Sequence, residues 1–521
     1  KPRNCRNVEP RNIFFSTVFL PKPNLTFLPI WGAYWIILAH GLYDLGSAFN
    51  KLAKKYKTKI IGQYLGPFPS IIIDDPALIK EMLYREEFDG RMDILLGRLR
   101  SYWKRLGIFF TDGYFWHVQR RFSLRYLRDF GFGRRCETLE AVVASEIKEM
   151  IDLRMNGPKN AAEKNIVNGD LVFLPHYFEV PFINGMLHVF SKMTVQRQDY
   201  HVLWDMVSHG LIFQRNSDDL GRALCITPWL KDVIPKWSGF NDLRRGNQYF
   251  IDFYTKLVNE VLETHEETHD RHFLDIYIRK MKEEQRNGDR STYSAIIMHN
   301  ITESNTFKVL PIGACWCHMG EKLFFSVTVE QLVLICIDYT FPAATALGTV
   351  LMMLLEKLLF QPEIQDKIHE EIDRVVGRNR LPTLDDRKNM PYTEACIRET
   401  MRYDTLLPLG IPHRAVTETN LGGYTIPEDI WGDPENFRPE RFIVDGQLCV
   451  AKDKTLPFGA GKRLCAGETY ARQTMFQLFA GFMQAFDVST ANGKPLSKPY
   501  PRIPGIIVTL PEFWLKVTPR T

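Results

Sequence analysis

The stretch Leu456-Pro457-Phe458-Gly459-Ala460-Gly461-Lys462-Arg463-Leu464-Cys465-Ala466-Gly467-Glu468, continuing as Thr469-Tyr470-Ala471-Arg472-Gln473-Thr474-Met475-Phe476, decides how this chain is read. Pro457, Gly459, Gly461 and Gly467 make its first half a loop with tight backbone paths. The second half has helical spacing and stays apolar through Leu478, Phe479 and Phe482. Cys465 stands at the junction. A thiolate there lies close to a helix N-terminus, whose free N–H groups and dipole favour negative charge. Glycines on either side let a large flat partner approach the backbone. A single cysteine is most often a small buried hydrophobe, so the weight falls on the spacing around it.

That spacing is Phe458-x-x-Gly461-x-Arg463-x-Cys465-x-Gly467. It resembles the haem-binding loop of the cytochrome P450 family. The resemblance implies that Cys465 is the axial thiolate on the iron of haem b, a ligand that pushes electron density toward O–O cleavage. Three more patterns agree with it. Trp116-x-x-x-Arg120 puts two residues on one helix face. Alone it reads as a stacked surface pair; beside the cysteine loop it resembles the family helix whose Trp and Arg reach a haem propionate, a carboxylate that suits the guanidinium fork. Arg463 is implied to do the same from the thiolate side. Glu399-x-x-Arg402 is by itself a helical ion pair worth at most about 1 kcal/mol on a surface. It resembles the family pair that locks the haem-binding core with a downstream arginine, here Arg441 in Phe437-Arg438-Pro439-Glu440-Arg441-Phe442. His413 and Arg414 follow the turn-rich Leu407-Pro408-Leu409-Gly410-Ile411-Pro412 and are implied to meet a propionate. Phe88-Asp89-Gly90-Arg91 is similar to a tetrapeptide common in the family.

The chain has 521 residues, 45% of them hydrophobic, enough for a large core. A prior of about 150 residues per domain suggests three domains; the resemblance implies instead one catalytic domain over residues 29–521, after an N-terminal segment 1–28. The fold it implies is mainly α with small β-sheets (α+β), with haem between a long central helix and the cysteine loop. A net charge of +5 is mild for this length and gives no case for nucleic-acid binding. Nine cysteines are scattered without a paired framework. Cys315-x-Cys317 with His318 is too tight for an ordinary zinc spacing. Reduced cysteines fit a cytosol-facing compartment. The apolar run 13–20 is short against the roughly 20 residues a spanning helix needs, so no anchor is visible. The wording of residues 391–415 is similar to microsomal animal members, arthropod ones nearest, which implies the cytosolic face of the endoplasmic reticulum membrane.

Along the chain, periodicity predicts a helix over 41–57, strands at 63–66 and 70–74, and helices over 76–83 and 140–156. Residues 177–237 are aromatic and apolar; they read as ordinary core or, by resemblance, as a mobile lid over the substrate that touches the membrane. Residues 246–282 read as one long solvated helix. The run 330–360 is long enough to span a bilayer, but Asp338, Pro342 and Glu356 argue against lipid, and it aligns with the family's central helix. A closing hairpin is expected from 506–510 and 513–517.

Three departures stand out. Residues 296–327 have no place in the family pattern and read as an insertion. A strand and a short helix are missing at 429–430. The central helix carries Phe341-Pro342-Ala343-Ala344-Thr345-Ala346 where the family has Ala/Gly-Gly-x-Asp/Glu-Thr. Pro342 should kink the helix, and Thr345 is the only hydroxyl in place for proton delivery. The reading is a haem-thiolate monooxygenase using O2, a lipophilic substrate and an NADPH-dependent flavoprotein reductase. Arg120, Arg121, Lys462 and Arg472 are candidates for that partner's landing site. Two alternatives remain: an isomerase or dehydratase acting on a peroxide, and an inactive product of a faulty gene model.

Overall fold

The computed structural model describes residues 32–35, 39, 45–66, 68–217, 223–286, 329–407, 410–414, 416, 436–494 and 496–520. The expected insertion at 296–327, the gap at 429–430 and the run 13–20 lie outside them. The apolar stretch Val329–Phe360 passes the length and composition test for a membrane span, yet most of it is buried inside the protein. It forms two helices, Val329–Ala343 and Ala346–Phe360. Pro342 has no N–H to donate and its ring crowds the carbonyl one turn back. The result is a break rather than the expected kink: Thr345 leaves helical geometry at φ −141° and precedes the second helix.

His176–Ser191 and Glu468–Ala485 pack on this axis, and Glu137–Asn156 packs on both of them. His176–Ser191 is buried along nearly its whole length, as a helix that is apolar all round must be. Phe178 meets Phe482 edge to face at 4.8 Å. The segment 177–190 is therefore core. Farther on, Phe240–Glu263 packs across the first half of the central axis, and His201–Asn216 packs on Phe240–Glu263. At their crossing a Cβ on Gly246 would sit 2.7 Å from the His209 carbonyl oxygen.

The helix expected over 246–282 is two, Phe240–Glu263 and Phe273–Arg286. Asp275 explains the interruption. Fully buried, it takes hydrogen bonds from the Arg271 N–H and guanidinium and pairs with His265, folding the loop 264–272 onto the second helix. Sheets are small. Ile60–Leu65 pairs antiparallel with Phe68–Ile73. Val167–Asn168, Leu171–Leu174, Phe513–Pro519 and Phe486–Thr490 form a four-stranded antiparallel sheet in that order. The C-terminal strand thus pairs with residues 486–490 and 171–174 rather than with 506–510. Residues 506–509 spend their N–H groups elsewhere: Ile506 on the Gln214 carbonyl, Val508 on that of Leu406 and Thr509 on that of Ile503. A two-residue pairing of Gly90–Arg91 with His413–Arg414 joins distant parts of the chain beside the cysteine loop.

Candidate active site

The cysteine loop is held by its own backbone. Cys465 N–H donates to the Phe458 carbonyl at 2.8 Å, after a single 3-10 turn at Gly461–Arg463. Gly461 has φ +66°, and a Cβ there would run into the Leu83 carbonyl, so the position demands glycine. Gly467 caps the helix Glu468–Ala485, and a Cβ on it would lie 4.0 Å from Cys465 Sγ and 3.6 Å from the Phe132 ring. The Cys465 residue is exposed on one side. The chain packed around its sulfur pushes the thiol above its ordinary value, while the Gly467 N–H and the Arg120 guanidinium pull it down.

Beside the loop is a cradle of cations. The helix Gly113–Leu127 buries Trp116, whose indole Nε1 has no hydrogen-bond partner. The Arg463 guanidinium lies 3.5 Å over the Trp116 ring and donates to the Asp89 and Thr111 carbonyls. Arg120 donates to the Leu464 carbonyl and lies 5.8 Å from the same ring. Burial, with Arg91 and Arg120 nearby, pushes Arg463 down to about 8. Among the described residues neither Arg120 nor Arg463 has a carboxylate partner. An orphaned indole N–H and two guanidiniums without counterions, next to a cysteine between glycines, fit a planar group bearing carboxylates.

His413 and Arg414 are at the rim, each with a donor held by an earlier part of the chain. His413 Nδ1 donates to the Phe88 carbonyl at 2.7 Å, and burial with Arg91 nearby lowers the ring to about 4, so it is neutral. Its one hydrogen is spent. Arg414 donates to Asp112 Oδ2 at 2.7 Å and to the Arg91 carbonyl. Asp112, which the sequence reading did not single out, also takes the Arg91 N–H at 2.9 Å.

Below the cradle, Glu399 is fully buried and gathers four donors. Arg402 reaches it with Nε at 2.8 Å and Nη2 at 2.9 Å, Arg441 with Nε at 3.0 Å, and the Arg438 N–H at 2.7 Å. Both guanidiniums also hold the Asn436 carbonyl. The three residues come together although the segment between them lies partly outside the described residues.

On the central axis, Asp338 is buried against Arg100 at 2.5 Å and accepts the Ile108 and Phe109 N–H groups. It fastens a loop. Thr345 is fully buried; its hydroxyl donates to the Phe341 carbonyl at 2.8 Å and accepts from Gln214. Phe132, stacked on Tyr470 at 5.2 Å and edge-on to Tyr339 at 5.0 Å, ties the axis to the helix after Cys465. Nothing in the sequence reading marked it. The one hint at Asp338 was an acid in an apolar run.

An α+β fold with a cysteine loop set beside a cationic cradle defines a haem-thiolate class of protein. Comparison with known proteins agrees. The family model described as Cytochrome P450 matches residues 23–304 and 326–517, and the chain belongs to that family. It is 27% identical over 475 residues to a farnesoate epoxidase of Bombyx mori, covering 88% of this chain and 86% of that protein. It is 29% identical over 470 residues to human cytochrome P450 2U1, covering 87% and 75%. A probable cytochrome P450 303a1 of Drosophila melanogaster is 28% identical over 451 residues, covering 83% and 81%. The chain is an oxidoreductase of the oxygen-incorporating class.

Proposed function

We propose that the chain is a monooxygenase that holds haem b through Cys465, takes electrons from an NADPH-dependent flavoprotein reductase, and inserts one oxygen atom into a lipophilic small molecule. The observation that carries this is the unpartnered Trp116 Nε1 beside Arg120 and Arg463, three donors converging next to the Cys465 loop. Haem, when bound, supplies the activation of O2. The chain's own residues do the rest. Cys465 ligates; Phe458, Gly461 and Gly467 shape the loop around it. Trp116, Arg120 and Arg463 orient the group through its carboxylates. Glu399, Arg402 and Arg441 keep the segment ahead of the loop in place.

The reductase surface is narrower than the four cations suggested by sequence. Lys462 pairs with Glu86, Arg472 with Glu468, and Arg120 is turned to Leu464. Arg121 stays exposed, and Arg125 one turn on joins it. At the lid, Trp229, Val233 and Trp237 are exposed beside Lys231 and Lys236, a composition suited to a membrane surface. This supports residence on the cytosolic face of the endoplasmic reticulum membrane. Residues 29–521 make one catalytic domain in this reading. Of the stretch 296–327 read as an insertion, the unmatched interval 305–325 supports that reading, while the family model reaches to 304 and resumes at 326.

Turnover with purified reductase tests the proposal: product formed only with both NADPH and O2 supports it. A second reading is a peroxide isomerase or dehydratase, favoured by the Thr345 hydroxyl being committed to Phe341 and by Ala346 in the alcohol's place. Conversion of an organic hydroperoxide without NADPH or reductase would favour that one.

A further inference from the structure

The helix His201–Asn216 ends near a glutamine whose two polar ends meet different fates. Gln214 is 1% exposed. Its Nε2 donates to Thr345 Oγ1, whose own hydrogen goes to the Phe341 carbonyl at 2.8 Å. The threonine oxygen can therefore only accept from the amide, which fixes the nitrogen toward Thr345. The other end, Oε1, is buried with no hydrogen-bond partner. The backbone around it is tied down as well: the Gln214 carbonyl accepts from Ile506 N–H and Ser217 Oγ, both at 3.2 Å.

The surroundings of this amide are hydrocarbon. Phe213 meets Phe341 edge to face at 5.2 Å, and Phe250 meets Phe341 at 5.3 Å. Phe213 and Ile506 belong to an apolar cluster with Leu96, Leu99 and Leu243, with Phe341 packed against it. That cluster is separate from the main core and draws on chain segments far apart in sequence, beside the break in the central axis. An acceptor buried among such side chains costs about 1–3 kcal/mol when nothing donates to it. Buried polar atoms are nearly always satisfied, and a ligand entering between these segments would satisfy this one.

We propose that Gln214 Oε1 is the polar anchor of the substrate site, accepting a hydrogen bond from a hydroxyl group on an otherwise lipophilic substrate. Thr345 is the positioning residue that turns the amide so that its oxygen is offered. The proposal rests on the monooxygenase reading and narrows its substrate class to lipophiles with a hydroxyl donor.

The test uses the haem-loaded full chain and two radiolabelled probes, 1-dodecanol and its methyl ether, in equilibrium dialysis. The alcohol should bind about tenfold more tightly, the equivalent of one hydrogen bond of about 1.4 kcal/mol. Gln214→Met keeps the shape, removes the acceptor and should bring the two affinities together by weakening the alcohol. Thr345→Val frees the amide and should shrink the preference to about twofold to threefold. Equal affinities in the wild type, no binding of either probe, or a preference that survives Gln214→Met would each overturn the proposal. The wild-type comparison needs no variant, so a poorly folding mutant cannot hide the answer. A chain with a thiolate spectrum but no preference loses only the anchor. A chain without that spectrum loses the monooxygenase reading, and the anchor with it.

Discussion

Glu399→Ala is the sharpest test of the lock. The carboxylate is fully buried and is the ion-pair partner of Arg402 and Arg441, whose side chains are 6% and 4% exposed. Removing it takes away four hydrogen bonds and the buried carboxylate that the two guanidiniums share. Deleting one partner of a buried ion pair costs about 3–5 kcal/mol. Unfolding entropy is about 2.1 cal/mol/K per residue, and the chain has 521 residues. A loss of about 4 kcal/mol then lowers Tm by about 4 °C if the chain melts as one unit. Haem retention after gel filtration should fall in parallel. Asp242→Ala is the control: its pair with Arg245 is exposed on both sides and worth under about 1 kcal/mol, so its Tm should move by less than about 1 °C. Differential scanning calorimetry of the three proteins gives the answer. A Glu399→Ala protein that melts with the control and keeps its haem would refute the reasoning.

Four further outcomes are expected. Glu146, held by Tyr200 and Asn184, is raised to about 7, chiefly by burial. Folding therefore takes up a proton: its contribution to stability is fully present below about 4.5 and is lost as pH rises through about 7. Glu146→Gln should equal wild type at pH 4.5 and exceed it by about 2–3 kcal/mol at pH 8, and parallel urea midpoints across that range would contradict this. Replacing Arg121 and Arg125 by glutamine should slow reductase association several-fold at low salt and leave it unchanged at 0.5 M salt; Lys462→Gln, already neutralised by Glu86, should do less. Ala346→Thr should lower the hydrogen peroxide released per NADPH by placing an alcohol beside Thr345, whose own hydroxyl is already committed; an unchanged ratio would contradict this. Trp116→Phe removes the orphaned N–H but keeps the ring under Arg463 and should speed haem transfer to apomyoglobin several-fold.

Local spacing made much of this site legible. Cys465 and its glycines form one loop, Trp116 and Arg120 one helix face, and Glu399 and Arg402 one turn of another. The downstream Arg441 followed from resemblance, and its guanidinium does reach Glu399. Less legible were features set by partners far away in sequence. His413 and Arg414 read as rim donors, but that Phe88 and Asp112, about three hundred positions earlier, would each take a hydrogen bond from them was not visible in the sequence. A helix apolar on every side, His176–Ser191, reads equally as lid or core until its neighbours are known. The strand Phe513–Pro519 looked ready to fold back on its predecessor, yet residues 486–490 offered a better register. Pro342 announced a distortion but not its size, since a break depends on what holds Thr345, and part of that is Gln214 from the distant helix His201–Asn216. Gln214 itself carried no motif at all.

The central claim is that Cys465 carries the iron. The measurement that tests it most directly is the absorption spectrum of the purified chain, reduced and exposed to carbon monoxide, beside that of Cys465→His. The account predicts a strongly red-shifted Soret band for the wild type, as thiolate ligation produces, and a band at the ordinary histidine position for the variant. A wild-type band at that ordinary position, or no bound haem, would contradict it.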